Sequence, residues 1–177
     1  TAKNVIVVGA VDTLGRSNSF SSFGPTSDGR IKPDLSTYSM AGTSNATAVV
    51  SGSIILLQQL YDSLYNIKLS ADAVRALLIN SSSDVKDPGP DHKNGWGLLD
   101  LKAATQSVRE YPVIQDTIGD DQRLWSTEFS IDESTAELSL TLAWLDLPGI
   151  PGTTEVLLND LDLQFVVLHV LSAQVCS

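Results

Sequence analysis

The residues that could do chemistry lie in the heptapeptide Gly42-Thr-Ser-Asn-Ala-Thr-Ala48, where a loop-rich stretch gives way to a helical pattern. A serine at such a junction has two interpretations. In one, Ser44 is an N-cap whose hydroxyl accepts a free backbone N–H of the first helical turn. In the other, Ser44 is a nucleophile, and the free N–H groups and dipole of the helix would stabilise an oxyanion formed beside it. The heptapeptide alone favours the N-cap.

The sequence around this heptapeptide reverses that preference. Gly-Thr-Ser followed by a long helix resembles the nucleophile motif of subtilisin-like serine peptidases, which usually runs Gly-Thr-Ser-Met-Ala-Thr-Pro. Further blocks resemble, in the family's order, its strand, its Phe-Ser-x-x-Gly-Pro stretch, its Lys-Pro-Asp segment and the loop before its last helix: residues 5–12, 19–25, 28–34 and 89–97. The resemblance implies that Ser44 is the catalytic nucleophile, that its backbone N–H is one oxyanion donor, and that the substrates are proteins or peptides.

The same resemblance identifies neither a catalytic base nor a catalytic acid for Ser44 in this sequence. A serine hydroxyl attacks only when a base removes its proton and an acid orients that base. Of the two histidines, His92 lies in a turn-rich loop without the family's His-Gly-Thr-His context, and His169 in the terminal strand is weaker still. No aspartate has the family's Asp-Ser-Gly or Asp-Thr-Gly setting. The resemblance implies that acid, base and oxyanion asparagine precede Thr1 in a missing N-terminal half, so the isolated chain should be inactive.

Local departures from the family pattern support a second hypothesis. Asn45 stands where Met is usual, and Ala48 stands where Pro is usual. Asp34, which we interpret as structural, is followed by only seven residues before Gly42, whereas the family has a longer stretch with an Ala-Pro-Gly turn that shapes the specificity pocket. The alternative is therefore a degenerate, non-catalytic binding or scaffold module of the same family.

Stepwise hydrophobic patterns predict the elements that position Ser44. The apolar run 5–8 predicts a strand buried on both faces. A stripe at spacings of three and four predicts a buried central helix from Ser44 to about residue 65, formed by Val50, Ile54, Leu57, Tyr61 and Leu64. Ser70 predicts an N-cap for a helix over 71–80, and another short helix is expected from Asp100 to about 109. Together with the resemblance, this predicts the C-terminal half of a subtilisin-like three-layer α/β fold over residues 1–110.

The pattern changes from helical to alternating near Tyr111. Alternation over 125–131 and 138–144, with a third strand starting near Leu161, predicts an incomplete antiparallel β-sandwich or jelly roll over residues 111–177. Residues 158–163, after Trp144-Leu-Asp146, resemble the start of the jelly-roll domain that follows the catalytic domain in some secreted subtilases. This likeness implies a secreted or cell-surface protein.

The acidic residues near the third predicted strand have two interpretations. Asn159, Asp160 and Asp162 supply the hard oxygen ligands that calcium prefers, so a calcium site is one of them. The favoured one is that Asp162 is simply the solvent-facing member of an alternating strand, with no cofactor bound. The glycosylation patterns at Asn45 and Asn80 fall in predicted helices and are discounted.

Composition excludes several classes of function. Eleven basic and twenty-one acidic residues give a net charge of −10, and no basic cluster exists that could follow a nucleic-acid backbone. No apolar run approaches the roughly 18 residues that span a bilayer, so no membrane segment is predicted. The single cysteine, Cys176, cannot form an internal disulfide or a zinc site of two Cys pairs.

Overall fold

A computed structural model describes residues 3–85, 88–119, 121–122, 124–131, 138–149 and 157–166 of the chain. The elements, in chain order, are strand β1 (Val8–Val11), strand β2 (Leu35–Tyr38), helix α1 (Thr43–Tyr65), helix α2 (Ala71–Asn80) and helix α3 (Leu101–Glu110). This mixed α/β arrangement is consistent with a partial subtilase domain, as predicted. None of these helices is both long enough and apolar enough to cross a membrane.

The two strands form a parallel pair, with Val8 opposite Leu35 and Val11 opposite Tyr38. The prediction of a fully buried strand over 5–8 is wrong by three residues, because Val5 is 51% exposed and the ladder begins at Val8. The reason is the preceding polar contact: the Val7 N–H donates to Asp34 Oδ2 at 2.6 Å rather than to a neighbouring strand. The Val7 carbonyl accepts the Asp34 N–H at 2.8 Å, so the two segments meet at residues 7 and 34, and the regular ladder begins with Val8 and Leu35.

Helix α1 is the central helix, and its predicted bounds are confirmed to within a residue. It packs on both strands and on α3 through one buried stripe, made of Ala46, Val50, Ser53, Leu57 and Tyr61. Leu64, predicted to belong to this stripe, is 44% exposed instead. Among the small residues in its first turns, Ala46 is buried in this stripe, whereas Ala48, Ser51 and Gly52 lie on the exposed side. Helix α1 is thus buried on one side only within the described part of the chain.

Both shorter helices begin with a side-chain cap, and that of α2 is Ser70, as predicted. Ser70 Oγ accepts the Ala73 N–H at 3.3 Å at the start of α2, and Asp100 Oδ1 accepts the Ala103 N–H at 2.8 Å at the start of α3. Such caps satisfy backbone donors that a helix end leaves free. The side chains of Val74, Leu77 and Leu78 are buried in the core.

Beyond Glu110 the described residues contain neither helix nor strand. The alternating segments 125–131 and 138–144 have no ladder partners among them, and only residues 157–166 of the third expected strand region are described. The β-sandwich or jelly roll is not shown, and it stays a prediction together with the division at residues 110 and 111. His169 and Cys176 lie outside the described residues.

Candidate active site

Ser44 is the second residue of α1 and is exposed, so its predicted place in the first helical turn is confirmed. The N-cap position belongs to Gly42, and no side chain caps the helix through a hydrogen bond. The interpretation of Ser44 as an N-cap is therefore wrong. Within the described part of the chain its hydroxyl has no hydrogen-bond partner, which leaves the oxygen available for chemistry.

The first turn of α1 presents free backbone donors. The earliest N–H groups that bond within the helix are those of Asn45 and Ala46, which donate to the Gly42 carbonyl at 3.2 and 3.3 Å. The N–H groups of Thr43 and Ser44 precede them, and a helix end leaves such groups unsatisfied. No acidic residue lies in this turn to neutralise the positive end of the 23-residue helix. A negatively charged oxygen beside Ser44 would therefore be stabilised.

A single buried hydroxyl holds the short connection between β2 and α1. Ser39 follows β2, and its N–H donates to the Val11 carbonyl at 3.0 Å. Ser39 Oγ donates to the Gly42 carbonyl at 2.9 Å, accepts the Ala41 N–H at 3.3 Å and lies 3.3 Å from Asn45 Oδ1. Ser39 is not among the site residues predicted from the sequence, although a small polar residue between a strand and a glycine is a common turn signal. These contacts place α1 directly against the end of the sheet, without the longer stretch usual in the family.

His92 lies on an exposed loop, as predicted. Its carbonyl accepts the Gly24 N–H at 2.9 Å, which ties the loop to the Phe-Ser-x-x-Gly-Pro stretch. No hydrogen bond joins His92 to Ser44 in the described structure. The histidine of the Asp91–Gly95 turn is therefore not presented as the base of this serine.

Asp34 has a structural role, as interpreted from the sequence. Its carboxylate receives Lys32 Nζ at 2.7 Å on Oδ1 and 2.6 Å on Oδ2, in addition to the Val7 N–H. Both side chains are buried, with about one tenth of each exposed. Burial lowers the pKa of the Lys32 ammonium, although the hydrogen bonds and charge of Asp34 act in the opposite direction. The carboxylate oxygens of Asp34 are thus bonded to Lys32 and Val7, and in the described part of the chain neither has a hydrogen bond to a histidine that it could orient.

The acidic residues proposed for calcium do not gather. Asp160 and Asp162 are exposed, and Asn159 Nδ2 donates to Asp146 Oδ1 at 2.9 Å. Among the residues that the structure describes, no three His, Cys, Asp or Glu side chains could hold one metal ion.

An open hollow of about 400 Å³ lies at the C-terminal ends of β1 and β2, bordered by Val11, Thr37, Tyr38, Leu98 and Leu99.

Comparison with known proteins connects these features to one family. A sequence model of the Subtilase family matches residues 1–97. The Serine protease/ABC transporter B family protein tagA of Dictyostelium discoideum is 31% identical over 195 aligned positions, which cover 81% of this chain and 11% of that protein. The Neisserial autotransporter lipoprotein NalP of Neisseria meningitidis serogroup B is 36% identical over 73 residues, 41% of this chain and 6% of that protein. Serotype-specific antigen 1 of Mannheimia haemolytica is 28% identical over 80 residues, 45% of this chain and 8% of that protein.

The chain spans 11% or less of the length of these relatives. The alignment with the Dictyostelium protein has 195 positions although the chain has 177 residues, so that protein carries additional residues between matched segments. The family match takes in β1, the Lys32–Asp34 pair and the first turns of α1 with Ser44. Since it covers more than half of the chain and includes the helix that presents the serine, this chain belongs to the subtilase family of serine peptidases.

Proposed function

We propose that the chain is the nucleophile-bearing part of a subtilisin-like serine endopeptidase. In this proposal Ser44 attacks the carbonyl carbon of a peptide bond and forms an acyl-enzyme, which water then hydrolyses. One observation carries it: an exposed serine with an uncommitted hydroxyl stands in the uncapped first turn of α1. A serine that only began the helix would have its oxygen bonded to a first-turn N–H.

The chemistry divides between this chain and groups outside it. Ser44 supplies the nucleophile, and its own N–H supplies one donor to the oxyanion of the tetrahedral intermediate. A histidine must accept the hydroxyl proton and return it to the leaving amine, and an acid must orient that histidine. We place both, with an oxyanion asparagine, in polypeptide outside these 177 residues. On this proposal the 177 residues alone do not hydrolyse protein substrates.

The names of two relatives bear on the location of the protein and on its substrates. Two relatives carry names that describe an autotransporter lipoprotein and a serotype-specific antigen. Together with the resemblance of residues 158–163 to a domain of secreted subtilases, this supports a secreted or surface location and protein or peptide substrates. The same resemblance supports a jelly-roll domain built by residues after 110.

A non-catalytic module is the second candidate, and the connection of β2 to α1 favours it. Only seven residues separate Asp34 from Gly42, and four of them form β2, which leaves three for the connection in place of the longer stretch that shapes the family's specificity pocket. Asn45 lies beside Ser39 where the family has Met. Such a module would use the same fold to bind a protein without cleaving it.

The experiment is labelling with a fluorophosphonate probe, which reacts with activated serines. We expect no labelling of the isolated chain and no casein hydrolysis. After joining to the polypeptide encoded immediately upstream, we expect stoichiometric labelling, lost in Ser44→Ala and kept in Ser51→Ala. Ser51 is the matched control, since it is an exposed serine on the same helix.

Each other outcome has a meaning. An upstream frame that lacks the His-Gly-Thr-His and Asp-Thr-Gly motifs, or a joined protein that is folded yet unlabelled, would establish the non-catalytic module. Labelling of the isolated chain at Ser44 would show that it contains its own base. His92→Ala would then be compared with the parent chain to identify that base.

A further inference from the structure

Asp146 is a buried carboxylate in an otherwise exposed segment. Only 4% of its surface is accessible, whereas its neighbours Leu145 and Leu147 are 50% and 65% exposed. A carboxylate is removed from water at a high cost unless charges and hydrogen bonds compensate it. The groups that compensate this burial therefore identify the segments that Asp146 holds together.

Both carboxylate oxygens of Asp146 are fully used. Oδ2 accepts Lys3 Nζ at 2.6 Å and the Leu158 N–H at 2.9 Å. Oδ1 accepts the Asn159 N–H at 3.0 Å and Asn159 Nδ2 at 2.9 Å. One donor is on residue 3, 143 positions before Asp146, and the other three are on residues 158 and 159, 12 and 13 positions after it. The Lys3 ammonium, followed by the donors of Leu158 and Asn159, lowers the pKa of Asp146, so the group is ionised at neutral pH.

The backbone of the same residue forms a second set of bonds with the residues before β1. Asn4 Nδ2 donates to the Asp146 carbonyl at 2.7 Å, and the Asp146 N–H donates to Asn4 Oδ1 at 3.2 Å. Lys3 Nζ also donates to the Leu147 carbonyl at 2.5 Å. Asn4 thus pairs with residue 146 as a neighbouring strand would, through a side-chain amide in place of a peptide group.

A separate contact joins the same segment to α2. Asn80 Nδ2, at the last residue of α2, donates to Ser139 Oγ at 2.9 Å and to Thr141 Oγ1 at 3.0 Å. The segment 138–147 is therefore held at both ends, to α2 near its start and to residues 3–4 near its end. These contacts cross the boundary that the sequence predicts at residue 110.

We infer that Asp146 is an anchor that fastens segments 138–147 and 157–159 to the residues leading into β1. The chain on the two sides of residue 110 then forms one folded body, in which the later segment secures the first strand of the earlier one. The inference concerns no catalytic step and stands whether or not Ser44 is a nucleophile. Lys3, Asn4 and Asn80 thus form a surface on the N-terminal part of the chain, and the segments 138–147 and 157–159 dock on it.

The test is hydrogen exchange, measured residue by residue on the full 177-residue chain, with Asp146→Asn as the variant. An amide of the same shape cannot carry the charge that four donors surround. We expect exchange at the Leu158 and Asn159 amides to rise roughly 10- to 100-fold, as expected for the loss of hydrogen bonds to a charged group. We also expect faster exchange in β1, while the amides of α3 stay protected. Asp121→Asn is the matched control, because Asp121 is exposed and makes none of these contacts.

A second variant keeps the inference testable if Asp146→Asn does not fold. Lys3→Met removes the ammonium alone and should raise exchange at the same amides by a smaller factor. In the double variant Lys3→Met/Asp146→Asn, exchange at residues 158 and 159 should be no faster than in Asp146→Asn, since both substitutions break the same ion pair. Exchange at residues 158–159 or in β1 that equals that of Asp121→Asn would overturn the inference.

Discussion

Gly42 has a backbone conformation that only glycine adopts readily. Its φ of 110° and ψ of 161° lie in a region from which a Cβ atom excludes other residues. This conformation turns the chain from the short connection after β2 into α1 and brings Ser44 into the first turn. The glycine of the Gly-Thr-Ser motif is therefore required by the backbone, independently of any chemistry at the serine.

Gly42 and Gly52 should respond in opposite ways to the same substitution. Gly42→Ala should lower the free energy of unfolding by about 1–3 kcal/mol, because alanine is strained at this φ and ψ. Gly52→Ala should raise it by roughly 0.5–1 kcal/mol, because Gly52 is inside α1, where alanine is favoured. A Cβ added at either position meets no atom within 4 Å, so packing does not differ between them. Urea unfolding followed by circular dichroism measures both, and equal effects of the two substitutions would contradict the argument.

The start of the sheet depends on one buried ion pair. Asp34 precedes β2 and receives both the Lys32 ammonium and the Val7 N–H, while Lys32 Nζ also donates to the Val5 carbonyl at 3.2 Å. The pair therefore sets where β1 and β2 come together. Removing one member leaves the other charge buried without its partner, which costs more than the pair contributes.

Asp34→Asn should lower the free energy of unfolding by about 3 kcal/mol or more, because it leaves the buried Lys32 ammonium without a countercharge. The amide oxygen can still accept the Val7 N–H, so the loss reports on the ion pair. The double variant Lys32→Met/Asp34→Asn should recover much of this loss, since no buried charge is left. Both are measured by urea unfolding against the parent chain. A double variant less stable than Asp34→Asn would show that Lys32 stabilises the fold by contacts other than this pair.

The elements differ in how far the sequence predicts them. Helices α2 and α3 are found almost to the residue, since Ser70 and Asp100 act on backbone groups three residues away. Strand β1 is misplaced because its start is decided by Asp34, 27 residues from Val7. The place of Ser44 follows from local periodicity, whereas the contact of Asp146 with Lys3 joins segments 143 residues apart that no local pattern relates.

Helix α1 exposes a second apolar face, opposite its buried stripe, on the surface of the molecule. Ile55 is 68% exposed, Leu56 54% and Val49 44%, and the small residues Ala48 and Gly52 lie beside them. From Thr43 to Tyr61 the helix contains no charged residue. Contiguous exposed apolar surface on a protein marks an interaction site or a tendency to aggregate.

We expect the isolated chain to bind the dye ANS and to self-associate as its concentration rises. Ile55→Lys should reduce both, with unchanged helical circular dichroism, because the side chain is already in water. Thr105→Lys, on α3, is the control for added charge alone and should change neither. Dye binding equal in Ile55→Lys and the parent chain would place the exposed apolar surface elsewhere than on α1.

The salt bridge of Lys3 with Asp146 has a consequence for the order of events during synthesis. The two residues are 143 positions apart, so this contact closes only after Asp146 has left the ribosome. Helices α1, α2 and α3, whose contacts are more local, can form and pack while translation continues. Residues 3 and 4, although made before the three helices, are therefore fixed after them, and until then the segment before β1 is open to chaperones and to other chains.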